Sequence, residues 1–468
     1  MKVEVEVVSK ELVKPSSPTA NHLRRYNLSL LDHLTPQLNN SMVYFFAANN
    51  GSDQFINITE NASNHLKKSL SQALTHYYPL AGRLEDKAFI ECNDEGVPYL
   101  EARVMCKLHD VVESPVPSEV AKLLPFAMDD IVDTPLGVQL NVFDCGGIAI
   151  GVCMSHKVAD AMSYFVFIQR WASIARGLGE ACDHEGIKTH FVSATLFPPR
   201  DMPWYDPNKI ITKPNTVSKI FVFDASVIDG LKEKYAEKMC MQKPPSRIEA
   251  LSTFIWTRFM ASTLDSSKGL LKKFIKKSFK IYLGLSHRWT GSTSTQIAAS
   301  ESPRFYVVAH TVNLRSRMDP PLPAHAFGNY YRAVKVFLSL DYEGDCYELV
   351  KKLREEIRKI DSDYILKLQE GYEYLNSLRE DLRRFENIKG EIVPFTFTSL
   401  CRLPVYDADF GWGKPIWACP PAWKIKNVVV FTDTKLGGGI EAHISMMEAD
   451  MVRFQNDKEI LQHSSTKS

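Results

Sequence analysis

The sequence lacks any apolar run long enough to cross a bilayer, so no membrane span is expected. It also lacks a charge surplus. Fifty-six Lys and Arg stand against 55 Asp and Glu, a formal net charge of +1. A general nucleic-acid binder needs a large basic excess to neutralise phosphates, so that class is excluded as an expectation. The nine cysteines (Cys92, Cys106, Cys145, Cys153, Cys182, Cys240, Cys346, Cys401 and Cys419) are scattered, with no metal-ligand spacing and no even framework for disulfides. Neither a metal nor disulfide stapling is therefore expected. The opening Met1-Lys2-Val3-Glu4-Val5-Glu6 puts charges where a secretion signal needs an apolar core, which makes the cytosol the expected location. The motifs of a zinc metalloprotease, a P-loop NTPase and an α/β-hydrolase nucleophile elbow are all missing.

At 468 residues, 45% of them hydrophobic and 24% charged, the chain is long enough for more than one core. Val3, Val5 and Val7 alternate with Glu4 and Glu6, the pattern of a half-buried strand. Apolar residues recur at helical spacing from Ile58 to Leu74, and Tyr77-Tyr78-Pro79 ends that helix. Residues 138–155 read as a buried strand pair broken at Gly146-Gly147, and a helix follows from Asp160 to Arg176. Pro198, Pro199, Pro203, Pro207 and Pro214 mark a crossover at 190–217. Beyond it, Lys219–Phe223 and Phe305–Asn313 read as strands and Ser246–Ser262 as a helix. Lys351–Leu378 reads as one long charged helix. Val428–Phe431 and Ile440–Met446 form a strand pair joined through Gly437-Gly438-Gly439. Strands and helices intermix in both halves, which points to α/β layers.

Two short motifs carry the chemistry. In Ser155-His156-Lys157-Val158-Ala159-Asp160 a buried strand delivers a histidine to its own end, and a helix starts beside it. Imidazole titrates near neutrality, so it can take a hydroxyl proton as a new C–O bond forms. His-x-x-x-Asp also arises by chance, and Asp160 taken alone reads equally well as a helix cap. The second motif, Asp409-Phe410-Gly411-Trp412-Gly413, sets two glycines around a packed ring and reads as structural. His76, His310 and His443 lie in apolar stretches and read as core or supporting residues. Cys153, three residues before His156 on the strand, reads as a small hydrophobe facing away.

Together the two motifs resemble the signature pair of the BAHD family, the plant CoA-dependent acyltransferases. The resemblance extends through Leu12–Thr19, Tyr78–Arg83, Phe143–Gly147, Val312–Arg317 and Phe327-Gly328-Asn329. It is strongest towards the branch that O-acetylates indole alkaloids. It implies two chloramphenicol-acetyltransferase-like α/β domains, each a mixed sheet flanked by helices, with a solvent channel between them. Residues 1–200 would form the first domain with a returning segment near 390–412, residues 218–468 the second, and 201–217 the crossover loop. It further implies His156 as general base and an Asp160–Arg315 pair that supports it. Asp409, Phe410, Gly411, Trp412 and Gly413 would then be structural. No tightly bound cofactor and no metal are implied. The co-substrate would be acyl-CoA, expected to be acetyl-CoA, the acceptor a small-molecule alcohol, expected to be a monoterpenoid indole alkaloid, and the protein a monomer.

Other readings fit the same residues. A malonyl donor would need a cation near the acyl group, and Lys424 is the candidate. A non-catalytic protein of the same fold, holding an alkaloid or CoA, is the rival outside the enzyme class. The basic run Leu271–Lys280, within residues 264–303, reads as a solvated surface segment, with contact to a membrane surface or to CoA phosphates as sharper readings.

Overall fold

The computed structural model describes residues 2–48, 55–86, 88–178, 189–210, 215–239, 243–263, 304–338, 346–388 and 391–467. The basic run at 271–280 lies outside them.

The buried strand pair forms as its composition requires. Leu136–Phe143 and Ile148–Ser155 are buried along their full length and pair antiparallel around a tight turn at Gly146. Because both faces are covered, every position can be apolar, which is why the segment reads as a continuous run and not as an alternation. These two strands are the centre of a six-stranded sheet. Its order is Val5–Val13, Val97–Val104, Leu136–Phe143, Ile148–Ser155, Asn39–Phe46 and Trp417–Cys419. The N-terminal strand is its edge and departs from the simple alternation expected of it. The register shifts between Val7 and Ser9, and Val7 and Val8 are half exposed. A bulge of this kind turns side chains out of phase with the pleat.

A second sheet has seven strands, in the order Tyr331–Leu338, Arg304–Asn313, Glu391–Ser399, Val428–Asp433, Ile440–Met447, Thr216–Phe223 and Ser465–Lys467. The expected pairing of the last glycine-linked strands is present, antiparallel from Val428↔Ser445 to Asp433↔Ile440. Helices cover both sheets. Phe55–His76 and Ala161–Ala175 pack over the first, and Arg247–Thr263 and Cys346–Arg358 belong to the core of the second. No helix among the described residues is long and apolar enough to cross a membrane.

One further expectation needs correction. The charged stretch Lys351–Leu378 is not one helix but parts of three: Cys346–Arg358, Ser362–Glu370 and Tyr372–Glu386. Asp361 caps the second of these by accepting from the Tyr364 amide, and Gly371 ends it. The Arg317 guanidinium takes up the carbonyls of Ile357 and Ile360 where the first stops. Polar caps thus override a charge pattern that looked continuous. The segment expected to return to the first half near 390–412 stays in the second sheet through Ser399. From Leu400 onwards it packs into the core of the first half, through Val405, Ala408 and Phe410, and Trp417–Cys419 then pairs with Val43–Phe45 as a strand of the first sheet.

Candidate active site

His156 sits one residue beyond the buried strand Ile148–Ser155. Its backbone amide donates to the Leu38 carbonyl at 2.7 Å, continuing the antiparallel register of Asn39 with Ser155. The turn that follows is pinned by the Asn40 side-chain amide, which donates to the Ala159 carbonyl at 2.9 Å. Lys157 points inward, and its ammonium donates to the carbonyls of Asp32 (3.0 Å) and His33 (3.3 Å) in the short helix Leu30–Leu34.

Asp160 plays both parts the sequence left open. It caps the helix Ala161–Ala175 by accepting from the Ser163 amide at 2.9 Å. It also forms a two-pronged ion pair with Arg315, at 2.6 and 3.0 Å. The Tyr330 amide supplies a further hydrogen bond at 2.9 Å. Burial alone would raise the Asp160 pKa, but the Arg315 charge and these hydrogen bonds outweigh it and hold the carboxyl below its usual range. With both oxygens occupied, Asp160 is committed to structure.

Arg315 lies in the turn after strand Arg304–Asn313, with side-chain exposure of only 4%. Its guanidinium also donates to Ser163 Oγ and the Ala326 carbonyl, and it stands 4.6 Å over the Tyr330 ring. The segment Ala326–Tyr331 of the second half therefore wraps around the Asp160 helix cap. At its centre Gly328 adopts φ +144°, and a side chain there would meet Ser193 at 2.9 Å, so only glycine lets the chain make this approach.

Sequence reasoning quoted Asn329 within a motif but gave it no role, and it missed Asp32 and Tyr331. The structure brings all three to the site. Asn329 Oδ1 lies 3.1 Å from His156 Nδ1. The Asn329 amide nitrogen donates to the His156 carbonyl (2.7 Å) and to Asp32 Oδ1 (2.8 Å). The Tyr331 ring stacks on the imidazole with centroids 5.2 Å apart. Burial lowers the His156 pKa from its ordinary value; the Asp160 charge and the Asn329 hydrogen bond oppose that shift without reversing it. The net shift favours the neutral imidazole. The one available signal for Asp32 was local: Ser29-x-x-Asp32 is a capping box, and both of its hydrogen bonds form.

The other candidates separate cleanly. His310 is buried against Phe397, with centroids 4.8 Å apart, and burial pushes its pKa down to about 3. His443 contacts Thr432, and burial lowers its pKa to about 4. Cys153 contacts Ser41 and the Phe126 carbonyl, and burial raises its thiol to about 12, so it is no nucleophile at neutral pH. Lys424 is paired with Asp129 at 2.7 Å.

The second motif lies at the far end of the Ala161–Ala175 helix. Phe410 is buried and packs edge-on to Trp171, with centroids 4.7 Å apart. Trp412 packs on Phe46 and His65. Asp409 Oδ1 accepts from the amides of Gly411 (2.9 Å) and Gly413 (3.0 Å), while Arg176 at the helix C-cap donates to the Asp409 carbonyl at 2.6 Å. Gly411 and Gly413 stand at φ +108° and +90°.

A model of the Transferase family matches residues 3–281 and 285–461. The chain is 35% identical to limonoid 21-O-acetyltransferase of Citrus sinensis, over 99% of both chains. It is 33% identical to stemmadenine O-acetyltransferase of Catharanthus roseus, over 98% of this chain and 97% of that one. The crystal structure of vinorine synthase superposes with a TM-score of 0.76 at 31% identity, over 98% of each chain.

The motif geometry yields a test that separates strain from packing. Nothing lies within 4 Å of a Cβ built on Gly413, so Gly413→Ala acts only through its backbone. It should cost about 1–3 kcal/mol of unfolding free energy. Phe410→Ala, which empties a core position, should cost about 3–5 kcal/mol. Denaturant titration measures both. A Gly413→Ala protein as stable as wild type would show that the loop does not need its left-handed turn.

Proposed function

The chain belongs to the Transferase family, the BAHD CoA-dependent acyltransferases, and from that premise we propose that His156 is the general base that moves an acetyl group from acetyl-CoA to a hydroxyl of a specialised metabolite. The observation that carries this reading is an imidazole at the end of a buried strand, oriented by Asn329 at Nδ1 and kept towards its neutral form by burial. An alcohol is a poor nucleophile at neutral pH. His156 Nε2 removes its proton as the oxygen attacks the thioester carbonyl, and a tetrahedral adduct forms. The adduct collapses by breaking the C–S bond. The thiolate of CoA leaves and takes the proton from the imidazolium, so the free base is regenerated. The acyl group passes directly to the acceptor, without an acyl-enzyme.

For the acceptor we assign a monoterpenoid indole alkaloid alcohol, supported by the likeness to stemmadenine O-acetyltransferase and to vinorine synthase. The 35% identity to a limonoid acetyltransferase makes a limonoid alcohol the second reading. Acyl-CoA and acceptor would reach His156 between the two sheet-bearing halves. Acetyl is favoured over malonyl because the cation considered for a malonyl carboxylate, Lys424, is already held by Asp129. Burying a malonyl carboxylate without a partner costs several kcal/mol, and each ~1.4 kcal/mol is tenfold in rate.

His156→Ala should retain the fold and lower kcat by ~10²–10⁴-fold. In the wild type kcat/KM should rise with pH along an acid limb centred below the ordinary histidine value of about 6.5, because only the neutral imidazole accepts the proton. A His156→Ala enzyme with half of wild-type turnover would refute the base assignment. Competition between equal acetyl-CoA and malonyl-CoA, with an alkaloid and a limonoid alcohol present together, should give mainly acetylated alkaloid by mass. Mainly malonylated product would overturn the donor assignment, and mainly acetylated limonoid the acceptor assignment.

A further inference from the structure

A general base must present the correct nitrogen, and a neutral imidazole has two tautomers. With the proton on Nδ1, Nε2 carries a lone pair and can accept. With the proton on Nε2, that nitrogen is useless as a base. The backbone carbonyls of His156 and Ala159 also meet the ring, and Asn329 adds a selection of its own only if its amide cannot rotate, because oxygen facing Nδ1 favours Nδ1–H and NH2 facing Nδ1 favours the opposite. The question is what holds the amide.

We propose that Asp32, which does not touch the imidazole, is the positioning residue that fixes the orientation of the Asn329 amide and so keeps Nε2 of His156 unprotonated. The inference rests on the general-base reading of His156. Both amide hydrogens of Asn329 meet oxygen acceptors, Asp32 Oδ1 at 2.8 Å and the His156 carbonyl at 2.7 Å; burial raises the Asp32 pKa, and the hydrogen bonds from Ser29 and Asn329 with the Lys157 charge favour its ionised form. Inverting the amide would turn its oxygen towards two other acceptors and strand both, in a site where Asn329 and Asp32 are fully buried. The carboxylate is itself held. Its Oδ2 accepts from the Ser29 amide and hydroxyl, both at 2.7 Å, which aims Oδ1 at Asn329. The Lys157 ammonium, donating to the carbonyls of Asp32 and His33, ties the same short helix to the residue that follows His156. The chain of constraint runs from the Ser29 cap through Asp32 and Asn329 to Nδ1, and each link has one permitted donor direction.

Asp32→Asn tests this with nearly unchanged shape. The Ser29 amide hydrogen must still find an oxygen, so the new side chain points its own NH2 at Asn329. Asn329 then inverts, its NH2 faces Nδ1, and the Nε2–H tautomer of His156 results. Histidine-selective 15N NMR at pH 7.5, with the His156 signals assigned by their loss in His156→Ala, reads the tautomer without reference to activity. Wild type should show Nδ1 protonated and Nε2 bare. Asp32→Asn should show the reverse, with kcat lowered by at least ~10²-fold and KM for both substrates within about twofold. An Asp32→Asn protein that keeps the Nδ1–H tautomer overturns the proposal, whatever its activity. If that variant does not fold, the wild-type spectrum decides: a dominant Nε2–H form overturns the proposal and a dominant Nδ1–H form supports it. Full activity in His156→Ala would instead remove the general-base reading and leave the tautomer result standing.

Discussion

The buried ion pair between Asp160 and Arg315 is the contact on which the rest of the site depends. It joins a helix cap of the first sheet's half to a turn of the second sheet's half, across 155 residues of sequence. Stripping water from two charges is expensive, and their attraction repays it only where geometry is good and the remaining hydrogen-bonding groups are satisfied. Here Asp160 receives two prongs from the guanidinium and two backbone amides, and Arg315 also reaches Ser163 and Ala326, leaving only its buried Nε without a hydrogen-bond partner among the described residues. These bonds cannot form unless residues 326–330 wrap the helix start, and that wrapping is what carries Asn329 to His156. The ion pair thus reaches His156 through the backbone, by placing Asn329 beside it.

The helix that starts at Asp160 is held at its other end as well. Arg176 donates to the Asp409 carbonyl, and Phe410 packs on Trp171. Both signature motifs therefore act on the same fifteen-residue helix, Ala161–Ala175, and both bring the later part of the chain to it. Glycines do the local work at each end: Gly328 allows the close approach at the cap, and Gly411 and Gly413 let one Asp409 oxygen collect two amides. A strut clamped at both ends gives the strand end bearing His156 a fixed floor, the kind of support that the proposed base would need to meet two separate substrates.

Much of this was legible in the sequence, because it is written in local patterns. The buried strand pair, the helix from Asp160 and the final antiparallel pair appear as apolar runs bounded by glycine or a cap. His156, Asp160 and Arg315 were legible through the motifs and the family resemblance. The break of residues 351–378 into three helices is signalled only by Asp361 and Gly371, single capping residues inside a continuous charge pattern. Asp32 and Tyr331 could not be found, since their relation to His156 exists only once segments 124 and 175 residues away fold onto it. Asn329 sat in plain view within Phe327-Gly328-Asn329, but no periodicity reveals which way an amide faces.

The central claim is that Asp160 and Arg315 act as one unit that couples the two halves around the helix cap. A double-mutant cycle on Asp160→Ala, Arg315→Ala and the double variant, read by denaturant unfolding, tests it most directly. Each single change should cost about 3–5 kcal/mol, because it leaves the partner's charge buried and unpaired. The double variant should cost clearly less than their sum, with a coupling of more than about 1 kcal/mol. Strictly additive costs, or single variants as stable as wild type, would contradict the account.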